Sequence, residues 1–279
     1  MTAITSSTMN LREGAIRYDR SGESGSPVVL LHGGGLDNGR LSWRHLLPAL
    51  DDVHRVYAPD WPKHGGSWPW RGIGDQAGLE GCLGHLFDRW ELRSAALVGV
   101  SMGASAALGF TLAHPERVKR LVLLDPGGLQ ETVRMHLLSY CAVQAPWPRL
   151  TAVALRPWVL HQLIRHSTFY TPPTDVEEIA TGVVDELRAK RDRSPYSDWQ
   201  RREIGPRRMK VNFMPRLGQI DVATLIVHGT ADKIVPVEIA REAAQRIPNA
   251  RLHLIDGCGH WSPRERPVEV NAVVREFLS

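Results

Sequence analysis

The sequence predicts an α/β fold with a mostly parallel central sheet, flanking helices and a helical segment inserted between late strands. Three observations predict it. Short apolar runs alternate with longer amphipathic segments along most of the chain, the pattern of strands joined by crossover helices. The alternation lapses once, between Gly127 and Leu217, where helix-like stretches are broken by Pro146, Pro148, Pro157, Pro172, Pro173, Pro195 and Pro206. Between an apolar run and an Ala-rich run stands Gly99-Val100-Ser101-Met102-Gly103.

The expected strands are Pro27 to Leu31, Val53 to Ala58, Ala95 to Val98, Arg120 to Leu124, Thr224 to Val227 and Arg251 to Ile255. Trp43 to Leu50, Asp75 to Trp90, Met102 to Ala113, Val237 to Arg246 and Arg264 to Leu278 read as helices. An N-terminal pair, Thr5 to Leu11 and Ala15 to Asp19, turned at Glu13-Gly14, adds an edge hairpin. Residues 1–127 and 218–279 then form the core, and 128–217 a helical cap over a strand-end crevice, where it would shape a substrate pocket.

A chain of 279 residues with 43% hydrophobic residues buries a large core, which excludes global disorder. No apolar run approaches the ~20 residues of a membrane helix, and Met1 to Asn10 lacks both a basic start and an apolar stretch. A cytoplasmic protein is expected, with no membrane partner. Cys82, Cys141 and Cys258 have neither metal-ligand nor redox spacing, so no metal and no cofactor are expected. Cys258, two positions before His260, reads as small-residue packing rather than a reactive thiol. The net charge is only +4, yet the window 188–210 holds nine Lys or Arg against three acids. That window is a solvated helical face or a field that draws an anionic substrate. It has no nucleic-acid-binding signature.

The Gly99 to Gly103 stretch carries the nucleophile. A serine on a sharp strand-to-helix turn takes strained backbone angles, so bulky neighbours would clash, and the helix N-terminus behind it favours negative charge. Ser101 is the expected nucleophile, the competing reading being an ordinary helix cap. His32-Gly33-Gly34-Gly35 follows the first strongly apolar strand, and its glycines leave amides open to a ligand oxygen. The amides of Gly34 and Met102 are the expected oxyanion donors, with Gly33 next in line and touching substrate. A phosphate-binding loop is the rival, but neither nucleotide-binding glycine spacing is present. His32 is expected to brace the loop.

Serine needs a base, and the base needs a carboxylate to fix its tautomer. Asp232, after Leu225-Ile226-Val227-His228, and His260, on the loop Gly257-Cys258-Gly259, follow Ser101 in the chain order that this chemistry uses on such sheets. Asp125, ending the run Leu121 to Leu124, is the rival acid.

These residues, with Asp60-Trp61-Pro62-Lys63-His64-Gly65-Gly66-Ser67, resemble the α/β-hydrolase superfamily over essentially the whole chain. Within it, Arg216 to Ile220, Asp232 to Pro236 and Cys258-Gly259-His260-Trp261 are similar to the capped meta-cleavage-product hydrolases, which cleave carbon–carbon bonds in ring-fission products of aromatic catabolism. That resemblance implies a dienoate-type keto acid as substrate, Trp261 beside it, and a lid arginine in contact with it. Arg188 falls near the arginine position, with Leu187 the alternative for the aligned site. Val100 stands where those enzymes usually carry asparagine, and Leu36-Asp37 where they usually carry Pro-Gly.

The main expectation is a serine hydrolase of a small carboxylic ester or related acyl substrate, with carbon–carbon cleavage of a ring-fission dienoate as the alternative. A non-catalytic small-molecule receptor on the same fold is the reading from another class, and cofactor-free oxidation or perhydrolysis at the same triad a third. The partner is a small molecule, anionic or aromatic; Trp147, Trp158, Phe169, Tyr170 and Trp199 would line an aromatic-friendly pocket or pack lid on core. The chain leaves room for a homo-oligomer.

Overall fold

The computed structural model describes residues 3–146, 157–190 and 194–279. Eight strands form one sheet: β1 (Thr5–Asn10), β2 (Ala15–Ser21), β3 (Ser26–Leu31), β4 (His54–Pro59), β5 (Ala95–Val100), β6 (Val118–Leu124), β7 (Thr224–Gly229) and β8 (Ala250–Ile255). Their order is β1-β2-β4-β3-β5-β6-β7-β8. The first two strands pair antiparallel with each other, β2 is antiparallel to β4, and every later pairing is parallel.

Both sheet faces are covered, which is why the central strands read as continuous apolar runs. Val29, Leu31, Leu97, Leu121, Leu123 and Ile226 point to one face, where Leu83 and Phe87 of helix Gln76–Arg89, Leu108 and Phe110 of Met102–Ala113, and Ala240 and Ala243 of Val237–Arg246 meet them. Val28, Leu30, Val98, Val122, Leu124 and Val227 point to the other, against Leu46 and Leu50 of Leu46–Leu50 and Val270 and Val274 of Pro267–Leu278. The alternation follows from the two-residue period of a strand.

Two expected helices are divided by proline. Trp43 to Leu50 becomes Gly39–Trp43 and Leu46–Leu50, because Pro48 has no amide to bond the carbonyl of Arg44. Arg264 to Leu278 becomes Ser262–Glu265 and Pro267–Leu278. Arg266, held outside the helical region before Pro267 at φ −129° and ψ 55°, makes that break.

Between β6 and β7 the described residues add no strand to the sheet and form helices at His136–Gln144, Pro157–Leu163, Val176–Ala189 and Asp198–Glu203. No helix among the described residues is long and apolar enough to cross a membrane. The strand order reverses direction at β3, which pairs with β4 on one side and β5 on the other. A crevice opens at the carboxyl ends of strands where such a reversal occurs. The loops carrying His32 to Gly35 and Ser101 leave the sheet at that point.

Candidate active site

β5 runs directly into Ser101, whose φ of 52° and ψ of −113° lie outside the helix and strand regions. A non-glycine residue holds such angles only when its surroundings force them. Here Ser101 N donates to Leu124 O of β6 at 3.0 Å, and its carbonyl accepts from the amides of Ser105 and Gly127, both at 3.1 Å. The flanking glycines have a steric cause. A Cβ at Gly99 would lie 2.5 Å from the Gly103 carbonyl, and one at Gly103 only 2.0 Å from Leu31 O. The helix after Ser101 packs too tightly on β3 and β5 for any side chain at either glycine.

His260 Nε2 lies 2.9 Å from Ser101 Oγ, and its Nδ1 lies 2.7 Å from Asp232 Oδ2. A carboxylate only accepts, so Nδ1 carries the proton in the neutral ring and Nε2 is left to take the serine proton. Asp232 is fixed from its other side: Oδ1 accepts from the amides of Ile234 at 2.7 Å and Val235 at 3.0 Å. The ring of His228 stands 3.4 Å from Oδ2. Burial acts to raise the Asp232 pKa, but the charge and hydrogen bond of His260, aided by His228, hold it below the usual carboxylate range. Burial acts to lower the His260 pKa, and the charges of Asp232 and Asp125 outweigh it, so the imidazole is held above its ordinary value.

Opposite His260, the glycine loop is braced by His32. Trp61 N donates to His32 Nε2 at 2.9 Å, which leaves Nδ1 to donate to Gly33 O at 2.8 Å. Burial, with the charge of Lys190, pushes this imidazole down to about 3, although the Gly33 carbonyl opposes them. His32 is therefore a neutral brace. Because the Gly33 carbonyl faces this ring, the amide of Gly34 on the same trans peptide points away from it. The Gly33 amide donates to Asp37 Oδ2 at 2.7 Å and is occupied. Among the described residues the amides of Gly34 and Met102 have no protein acceptor.

Ser101, His260, Gly33, Gly34 and Met102 line a cavity of about 390 Å³. Its walls are largely apolar, with Leu36, Val100, Ile164, Val183, Trp199 and Ile234, and its polar groups include Asp37, Thr168, Tyr196 and Gln200. Such a cavity fits a small, mainly apolar ligand.

A family model for the alpha/beta hydrolase fold matches residues 26–267. The chain belongs to the α/β-hydrolase family. It is similar, at 30% identity over 98% of this chain and 94% of the relative, to the 2-hydroxy-6-oxo-6-phenylhexa-2,4-dienoate hydrolase of Comamonas testosteroni. It is also similar, at 27% identity over 94% and 90%, to the 2-hydroxy-6-oxononadienedioate/2-hydroxy-6-oxononatrienedioate hydrolase of Cupriavidus pinatubonensis. The structure of a 2-hydroxy-6-oxo-6-phenylhexa-2,4-dienoate hydrolase from Rhodococcus superposes with a TM-score of 0.81 at 23% identity, covering 100% of this chain and 99% of that one. A bacterial membrane phospholipase A has the same TM-score at 22% identity, covering 99% and 86%. Likeness of fold therefore does not choose between substrates.

Trp261 of the hydrolase lines the cavity and stacks on Phe169 with ring centroids 6.0 Å apart. Arg188 does not line it and is corrected: its side chain is 68% exposed and pairs with Asp185. In helix Val176–Ala189 the inward stripe passes through Val183 and Leu187, and one further residue turns the side chain about 100° away. Of the aromatic candidates, Trp199 lines the cavity, Phe169 lies behind Trp261, Trp158 and Tyr170 are exposed, and Trp147 lies outside the described residues. In the basic window Arg188, Arg202, Arg207, Arg208 and Lys210 are exposed, whereas Lys190 is buried and donates to Gly35 O at 3.2 Å. Arg191 and Arg193 lie outside the described residues. Cys258 is fully buried, and burial pushes its thiol pKa up, as packing requires.

Sequence reasoning missed Ser167 and Thr168, which sit in an irregular helical turn that no periodicity marks. Asp125, His228 and Asp232 bring ligand-type atoms within 4.8 Å of one another. Those atoms already serve the site: Asp125 accepts from the amides of Gly229 and Ser262, His228 donates to Val235 O, and Asp232 holds His260.

Proposed function

We propose that Ser101 is the nucleophile, His260 the general base and Asp232 the acid that orients it, with the amides of Gly34 and Met102 receiving the oxyanion. The observation that carries this reading is the unbroken chain of 2.9 and 2.7 Å from Ser101 Oγ through His260 to Asp232. Residues 1–127 and 218–279 supply this machinery, and 128–217 act as the cap that walls the cavity.

The substrate class best supported is a ring-fission dienoate keto acid cleaved at a carbon–carbon bond, the activity named for the relatives from Comamonas and Cupriavidus. His260 first helps convert the dienol to its keto form. Ser101 then adds to the ketone carbonyl as His260 takes its proton, and the oxygen becomes an alkoxide held by the two amides. Collapse breaks the carbon–carbon bond, the departing carbon recovers a proton from His260, and water releases the acyl group from Ser101. Each oxyanion donor of this kind contributes on the order of 3 kcal/mol to the transition state.

A second reading, hydrolysis of a small carboxylic ester, is favoured by one observation: among the described residues no Lys or Arg lines the cavity to meet a substrate carboxylate. The two are separated by assaying short and long p-nitrophenyl esters beside a coloured ring-fission dienoate, with wild type and Ser101→Ala. Selective loss of dienoate colour by wild type supports carbon–carbon cleavage. Ester turnover alone demotes it, and turnover that survives Ser101→Ala defeats the nucleophile assignment.

A further inference from the structure

Leu36-Asp37 replaces the Pro-Gly pair usual in the enzymes this chain resembles, and the structure shows what the aspartate does there. Asp37 is 5% exposed and lines the catalytic cavity. Its Oδ2 accepts from the Gly33 amide at 2.7 Å and from the Ser42 hydroxyl at 2.6 Å, and its Oδ1 from the Asn38 amide at 2.8 Å. Ser42 Oγ, itself fully buried, accepts in turn from Trp261 Nε1 at 2.9 Å. A Cβ placed on Gly33 would lie 3.0 Å from Asp37 Oδ2 and 3.7 Å from Ser101 Cβ, so only the width of that glycine separates the carboxylate from the nucleophile.

We propose that Asp37 is a positioning residue that anchors both sides of the site at once. One oxygen holds the oxyanion loop through Gly33 and, through Ser42, the indole that follows the base. The inference rests on the hydrolase reading above and deepens it. Trp261 is far in sequence from the oxyanion loop, and Asp37 Oδ2, the acceptor that Gly33 and Ser42 share, joins the two through the Ser42 hydroxyl.

The anchor depends on ionisation. A carboxylate accepts all three donors, whereas a protonated carboxyl places an O–H where an N–H or O–H must arrive and loses at least one of them. Burial, with the nearby charge of Glu186, raises the Asp37 pKa to about 7 against the three hydrogen bonds. The other ionisable groups facing it are His32 at 3.9 Å, held neutral, the buried Arg264, and His260 across the cavity. The anchor therefore tightens as pH rises through neutrality, the direction in which His260 also becomes an available base.

The test is kcat and kcat/KM for a short p-nitrophenyl ester, from about pH 5 to 9, in wild type, Asp37→Asn and Ser42→Ala. Loss of a proton from His260 and loss of one from Asp37 both raise wild-type activity, the second by about 10-fold, so log kcat/KM should climb with a slope above one over part of the acid side. Asp37→Asn should climb with a slope of one and lose about 10-fold in kcat with KM little changed, because an amide supplies one acceptor oxygen and does not titrate. Ser42→Ala frees Trp261 and takes one donor from Asp37, which raises the Asp37 pKa further, so it should raise KM and move the steep part of the acid limb to higher pH. Asp37→Asn with the wild-type slope and kcat overturns the inference. So do unchanged kcat and KM in Ser42→Ala, a result that remains decisive even where Asp37→Asn fails to fold. Wild type that neither turns over ester or dienoate nor reacts at Ser101 with a phosphonate refutes the hydrolase reading itself, and the inference falls with it.

Discussion

Asp125 and Asp232 stand at the ends of neighbouring strands beside the same imidazole, but only Asp232 bonds to it. Asp125 is fully buried, and its oxygens accept from the amides of Gly229 at 3.2 Å and Ser262 at 2.9 Å. Asp232 instead reaches His260 Nδ1 at 2.7 Å. Asp125, the rival acid of the sequence, thus closes the loop around His260 and acts on it through charge.

That division predicts a pH effect. Asp125 is among the charges that raise the His260 pKa, and a general base must be neutral, so activity rises as pH rises through that pKa. Asp125→Asn removes the charge and keeps one acceptor. The acid limb of kcat/KM should move to lower pH with most activity retained, as a full pH profile would show. A limb that stays in place contradicts the electrostatic role.

Asp232→Asn should be far more damaging. Without the carboxylate the ring loses the partner that fixes its Nδ1–H tautomer, and kcat should fall by about 10⁴-fold with KM little changed. Steady-state kinetics on the better substrate of the panel decide it. A loss under about 10-fold would return the acid role to Asp125.

Glu265 ties the segment at residues 170–171 to the base loop. Its carboxylate accepts from the amides of Gly259 at 2.8 Å and Thr171 at 2.6 Å, while His260 N donates to Thr168 O at 2.9 Å. Glu265→Ala should lower kcat by about 10-fold or more through misplacement of His260. Limited proteolysis should find the 168–171 segment more easily cut. Unchanged kinetics and cleavage would make this contact incidental.

Two helix glycines predict opposite stability effects. Gly103→Ala drives a methyl group into the Leu31 carbonyl, which lies in a central strand and cannot yield, and should destabilise by about 3 kcal/mol or more. Gly81→Ala, inside helix Gln76–Arg89 with nothing within 4 Å, should stabilise by about 0.5–1 kcal/mol. Thermal denaturation of both variants checks the pair.

The strands and the converging residues were legible in the sequence because their causes are local. Gly99 and Gly103 are glycine where backbone contact forbids a Cβ, and Ser101 follows a run buried on both faces. Pro48 and Pro267 were visible too, but the apolar periodicity that crosses them masked the breaks. Substrate contacts were less legible. On helix Val176–Ala189 a shift of one residue separates buried Leu187 from exposed Arg188, and periodicity alone does not resolve that rotation. Asp37 was noticed as a departure, and its function emerged only from partners at Gly33, Ser42 and Trp261 brought together by the fold.

The most direct measurement is intact-protein and peptide mass spectrometry after exposure to an active-site phosphonate. A single adduct on Ser101 in the folded protein, formed much more slowly in His260→Ala and absent from Ser101→Ala, is the predicted result. Folded wild-type protein that stays unlabelled, or carries the adduct on another residue, would contradict the account.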